Sequence, residues 1–116
     1  MKIQLCIVAV CALASPALAQ DTATGAQITA AISGNTVQGG MVDTGAYTEF
    51  YDVDGMIKGE GYTGLWTIKG DTMCFVYGTD PATCYGVAIA EGEVSWILDG
   101  AVLGTGLLVA GNPNGY

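Results

Sequence analysis

Arginine and histidine are absent from the chain, and only three lysines stand against eleven acidic residues in 116. Each absence excludes something. Without a basic face there is nothing to neutralise phosphates, so nucleic acid is excluded as a partner. Without histidine, Ser–His and Cys–His catalysis and His-ligated zinc are excluded. A long apolar run is missing too. The stretch from Ile3 to Leu13 is about 11 residues, whereas a membrane-crossing helix needs roughly 20.

That short run reads instead as a signal peptide over residues 1–19. Lys2 opens it, and Ala17-Leu18-Ala19 supplies a small-x-small site with cleavage following Ala19. Val10 before Cys11, and the place of Cys11 inside the run, do not fit a lipoprotein signal. The expected location is the periplasm or the medium, with no membrane span after signal removal. Residues 20–25 read as a flexible lead and 26–116 as a single β domain. The mature part keeps all eleven acids and only Lys58 and Lys69. This acidity favours a cationic protein partner by electrostatic steering.

Two of the four cysteines leave with the signal. The remaining pair, Cys74 and Cys84, in an exported chain reads as a disulfide between neighbouring antiparallel strands. Nine intervening residues do not resemble a C-x-x-C redox site, and two thiolates alone do not complete a zinc site.

All 18 glycines fall in the mature chain. They separate short runs rich in Val, Ile, Thr, Tyr and Trp, which is strand punctuation rather than low-complexity disorder. One short helix is expected at 26–32, with Ile28 and Ile32 on one face and Gly34 as its stop. Eight strands follow, at about 35–41, 46–52, 56–62, 64–69, 72–78, 84–90, 93–98 and 101–109. Their short connections, including a tight corner near Thr63-Gly64, suit antiparallel neighbours. The fold class is all-β: an up-and-down barrel of about eight strands, or a flattened sandwich.

Residues 51–61 and 96–106 share the pattern aromatic-x-aliphatic-Asp-Gly-x-(Ile/Val)-x-Gly-x-Gly. One hairpin recipe is used twice. A three-residue loop ending on Gly55 would put Tyr51, Ile57, Gly59 and Gly61 on one face. The same loop in the second copy would align Trp96, Val102, Gly104 and Gly106. That face should be interior, its glycines leaving room for large rings such as Trp66 or for a cavity. Ile97, Ala101, Leu103, Thr105 and Leu107 would then face outward. Ile97, Leu103 and Leu107 form a candidate apolar interface for the helix at 26–32, for a second copy or for a partner. The matching set in the first hairpin, Asp52, Met56, Lys58, Glu60 and Tyr62, is polar.

Glu49 shares strand parity with Tyr47 and Tyr51, so it is expected to point inward as an interior carboxylate needing a hydroxyl or backbone partner. Asp52 has the opposite parity, so the two make no acid/base pair. Asp52, Asp54 and Glu60 around Gly55 fail the EF-hand pattern, because with Gly55 at loop position 6 the first and last ligand positions fall on Phe50 and Gly61. Gly59-x-Gly61 and Gly104-x-Gly106 lack the Lys and the helix start of a phosphate loop. No catalytic residue, metal or cofactor is expected.

Gly34-Asn35-Thr36-Val37, Tyr47 to Tyr51, Asp54-Gly55, Gly64-x-Trp66, Gly70-Asp71-x-x-Cys74, Cys84-Tyr85 and Gly111-Asn112-Pro113-Asn114-Gly115 occur in this order. Together they resemble a group of small exported proteobacterial proteins of unknown function. The resemblance implies a small β domain and export, but no reaction and no site residue. A weaker similarity is to the periplasmic inhibitors of c-type lysozyme, small disulfide-bearing β-barrels. Thr44-Gly45-Ala46-Tyr47 is similar to their Ser-Gly-x-x-Tyr loop, with Thr for Ser and a spacing one residue short.

The expected function is therefore non-enzymatic: an exported envelope protein that binds a cationic protein through its surface. The alternatives are a lysozyme-inhibitor-like role and a carrier of a small apolar ligand in a barrel cavity. Six Tyr and two Trp in so short a chain favour a filled interior over a cavity.

Overall fold

The computed structural model describes residues 21–116. The expected signal peptide, its cleavage site, Cys6 and Cys11 lie outside the described residues.

Helix α1 spans Gly25–Ile32. Its start is fixed from two sides. Thr24 and Gln27 form a reciprocal capping box, and the Gly25 N–H donates to the Asp71 carboxylate at 2.8 Å. Gly34, with φ +80°, turns the chain into the first strand. The strands are β1 (Asn35–Met41), β2 (Gly45–Tyr51), β3 (Met56–Gly59), β4 (Tyr62–Lys69), β5 (Thr72–Val76), β6 (Thr83–Ala90), β7 (Glu93–Leu98) and β8 (Ala101–Val109). Each pairs antiparallel with the next, and β1 pairs with β8, so the sheet closes into an up-and-down barrel. Closure leaves no open sheet edge.

The two ends of the barrel are different. The end of β8 and the β2–β3, β4–β5 and β6–β7 turns gather at the base, where α1 contacts β1, β4 and β5. Ile28 and Ile32 are fully buried and join Val37, Ile57, Met73, Val87 and Val94 in the core. The helix is thus a plug for the barrel rather than a cover for its outer wall. Asn35 ties this end together: its Nδ2 donates to the Ala31 carbonyl and its Oδ1 accepts the Gly111 N–H. Thr36 Oγ1 donates to the Gly111 carbonyl at 2.7 Å. Cys74 and Cys84 sit directly opposite each other on β5 and β6 and are joined as a disulfide.

The two hairpins of the repeat do not turn alike. In the first, the Asp52 N–H donates to the Met56 carbonyl, and Val53-Asp54-Gly55 is a three-residue loop with Gly55 at φ +94°. Tyr51 then faces Ile57 across the ladder, both buried, as the sequence predicts. In the second, Asp99 and Gly100 both take positive φ, which makes a two-residue type I′ turn with Leu98 opposite Ala101. The odd residue is absorbed by a bulge at Trp96/Ile97, which restores Trp96 opposite Gly104. Val102 therefore lies outside, opposite Ile97, and is 44% exposed rather than interior.

The corner expected at Thr63-Gly64 lies at Glu60-Gly61, where Gly61 has φ +83° and Gly59 opposes Tyr62. Tyr62 consequently turns toward the barrel mouth instead of facing outward with Lys58.

Candidate functional site: an aromatic chamber around Glu49

The interior is filled only in its lower half. Above Tyr51 and Phe75 a chamber of about 410 Å³ opens at the mouth, between the β1–β2, β3–β4 and β5–β6 turns. Five of the six tyrosines line it, with Phe75 and Trp96.

Glu49 is set into the chamber wall. Its inward parity is as predicted, and the residue is only 6% exposed. Three phenols donate to it: Tyr51 at 2.7 Å, Tyr62 at 2.6 Å, and Tyr77 at 3.0 and 2.9 Å to the two oxygens. A carboxylate is an acceptor only, with about four lone-pair sites, and these contacts occupy them. Glu49 was legible as an inward carboxylate in need of a hydroxyl, but Tyr62 and Tyr77 were not legible as its partners. Tyr62 was hidden by the misplaced corner. Tyr77 lies just past the end of β5, where strand parity gives no guidance.

Two glycines make the clamp sterically feasible. A Cβ on Gly59 would collide with the Tyr62 ring, and one on Gly64 would come within 2.7 Å of the Tyr77 ring. The inward glycines do seat large rings, though they are these tyrosines rather than Trp66. Trp66 instead donates its indole N–H to the Asp52 carbonyl and stands edge-on to Tyr51.

Around Phe75 the rings form a connected set. Tyr85 and Trp96 meet it edge-on at 5.6 and 5.3 Å, and Tyr77 stacks at 6.5 Å between centroids. Such geometries suit the ring quadrupoles. On the far wall the Trp96 indole N–H donates to the Tyr47 hydroxyl at 2.8 Å, which in turn donates to the Thr105 carbonyl.

Burial comes first, with the negative charge of Glu49 behind it, in holding the phenols of Tyr51, Tyr62 and Tyr77 well above their ordinary range. Burial pushes Tyr47 up to about 12, partly opposed by the Trp96 hydrogen bond. All four remain protonated near neutrality and can keep donating.

The other sequence candidates lie elsewhere. Asp52 is on the outer face and pairs with Lys58 at 2.9 Å. That hydrogen bond lowers the Asp52 carboxyl and raises the Lys58 ammonium. Asp54 accepts the Met56 N–H inside its own turn. No metal-holding cluster occurs among the described residues. Ile97 and Leu103 are half-buried, and Leu107 is 59% exposed. The Ser95–Thr105 pair separates Leu107, opposite Glu93, from the Ile97–Val102 pair, so this wall is not one apolar patch. No helix of the described residues is long and apolar enough to cross a membrane.

Comparisons with protein-family models, with curated proteins and with solved structures returned no match for this chain.

Proposed function

We propose that this is an exported, non-enzymatic binding protein and that the mouth chamber is its ligand seat. The observation that carries the reading is the asymmetry of the interior: a barrel packed and plugged at one end, with a chamber of about 410 Å³ walled by aromatic rings at the other. Small-molecule sites are concave, largely apolar and furnished with a few fixed polar groups, and an eight-stranded barrel is wide enough to hold one small ligand. The disulfide supports the export reading. The interior is the apolar face, while outward positions carry Asp52, Lys58, Lys69 and Glu93. A membrane barrel has the reverse polarity.

The surface acidity gives less support to docking of a cationic protein on the outer wall. Asp43, Glu60, Asp80 and Asp99 stand at the mouth turns, and Asp21, Asp52, Asp54, Asp71, Glu91 and Glu93 toward the base. No face is singled out by this distribution. The resemblance to lysozyme inhibitors rests on residues 44–47, of which Thr44, Ala46 and Tyr47 line the chamber.

The test is a titration of the mature protein with N-phenyl-1-naphthylamine, a neutral dye whose emission rises in apolar surroundings. Saturable binding that is lost on Tyr85→Arg, with thermal unfolding unchanged, is the expected result. Absence of any saturable signal at solubility-limited dye would overturn the chamber as a seat.

A further inference from the structure

Glu49 is an anion's position without a cation. Its oxygens receive three phenols, and no ammonium. Among the described residues the ion pair present is Lys58–Asp52, on the outer face, and Lys69 is exposed near the base. Asp43 and Asp80 border the opening of the same chamber. A chamber of this sign repels anionic ligands. A neutral ligand filling it leaves that negative charge unanswered, whereas a cation gains from it.

The hydrogen-bonding capacity of Glu49 and Tyr47 is also largely used. The phenols occupy the Glu49 lone pairs, and Tyr47 both accepts from Trp96 and donates to Thr105. A primary ammonium brings three N–H donors, for which the chamber offers phenol oxygens such as those of Tyr62, Tyr77 and Tyr85 but not the carboxylate already clamped by phenols. An ammonium whose hydrogens are replaced by alkyl groups brings charge without donors. It is bound by aromatic faces within about 6 Å and by nearby negative charge. Tyr62, Tyr77, Tyr85 and Trp96 supply the rings.

Resting on the chamber as the ligand seat, we infer that its ligand class is a small quaternary or fully alkylated ammonium, caged by Tyr62, Tyr77, Tyr85 and Trp96 with Glu49 as counter-charge. The cation sits against the rings and reaches Glu49 through the phenols that clamp it.

Calorimetric titration of the mature protein at low salt tests this with three probes of similar size: choline, its uncharged isostere 3,3-dimethyl-1-butanol, and n-butylammonium. Choline is expected to bind about tenfold more tightly than either of the others. Glu49→Gln is expected to reduce that preference about tenfold while leaving naphthylamine binding in place. Equal or tighter binding of the neutral isostere overturns the inference, as does a choline preference that survives in a folded Glu49→Gln protein. Tighter binding of n-butylammonium overturns the alkylated class in favour of a lysine-like amine. If the variant does not fold, the comparison of the three probes on the unaltered protein still decides. Dye binding without a choline preference refutes the cation and spares the chamber. Failure of dye and all three probes refutes both.

Discussion

The base and the mouth of this barrel use the same ladder of strands for opposite ends. At the base, buried aliphatic side chains from five strands meet Ile28 and Ile32 of the plug, and the backbone is tied by Asn35, Thr36 and Asp71. At the mouth the side chains are large rings that meet one another around a space, held by ring contacts and by hydroxyl and indole hydrogen bonds rather than by close aliphatic packing. Aliphatic packing rewards filling, since every void forfeits contacts. Rings fixed at their polar tips can hold a space open. One end therefore carries stability, and the other carries a preformed cavity.

Truncating the plug should break that division most severely. Ile32 is completely buried in the base, so Ile32→Ala should cost about 2–5 kcal/mol, read as a large drop in the urea midpoint. A cost below about 1 kcal/mol would show that the base is not where the fold is held.

The disulfide tests the seam between the two ends. The β5–β6 ladder has only three paired positions, Met73–Tyr85, Cys74–Cys84 and Phe75–Thr83. Phe75 and Tyr85 are chamber walls, so the bridge anchors the mouth as well as the fold. Cys74→Ser with Cys84→Ser should cost on the order of 2–3 kcal/mol. It should also weaken dye binding before global unfolding in a denaturant series. Coincident loss of both signals would place the bridge in the common core.

How much of this was legible beforehand follows the same line. Strand number, the plug helix's apolar face and the inward parity of Glu49 depend on periodicity, and the disulfide on a cysteine pair left in an exported chain, all of which a sequence displays. The second hairpin did not obey its repeat, because Asp99-Gly100 and Asp54-Gly55 are the same dipeptide in different turns. The choice between them depends on what the neighbouring strands demand: Trp96 opposite Gly104 on one side, Tyr51 opposite Ile57 on the other. The chamber was illegible for a related reason. Six tyrosines count as volume in a composition, and only register shows that Tyr62 and Tyr77 are drawn aside to Glu49. The motif residues Asn35, Thr36, Asp71 and Gly111 were visible as a pattern, and they are fasteners of the base.

Alkali should loosen the mouth. An unfolded tyrosine loses its proton near pH 10, whereas folded Tyr47 holds its proton to about 12, and Tyr51, Tyr62 and Tyr77 are raised too. Above pH 10 the unfolded chain has released protons that the folded chain retains, so stability falls as pH rises. The contribution is complete below pH 10. It is lost through the window from 10 upward, by about 1 kcal/mol per pH unit for each phenol, after allowance for partial exposure at the mouth. Unfolding midpoints measured between pH 8 and 11, with tyrosinate absorbance followed in parallel, check the onset. A flat midpoint through pH 11 would mean that the phenols are not buried as a cluster.

A near-neutral substitution at Val102, set beside one at Ile57, discriminates between the two hairpins. Ile57 and Val102 occupy the same place in the repeated sequence, but Ile57 is fully buried while Val102 is 44% exposed opposite Ile97. Threonine puts a hydroxyl in place of an ethyl arm at Ile57 and of a methyl at Val102, with little loss of strand propensity at either site. Ile57→Thr puts that hydroxyl into the apolar base and should cost about 2–4 kcal/mol. Val102→Thr leaves the hydroxyl in water and should stay within about 0.5 kcal/mol of the unaltered protein. The contrast depends on the bulge at Trp96/Ile97. If the second turn were a three-residue loop like the first, Val102 would face inward beside Trp96 and its substitution would cost nearly as much as that of Ile57. Matched urea unfolding of the two variants therefore reads the turn geometry directly: unequal costs mean two turn types built from one dipeptide, and equal costs mean a single hairpin used twice.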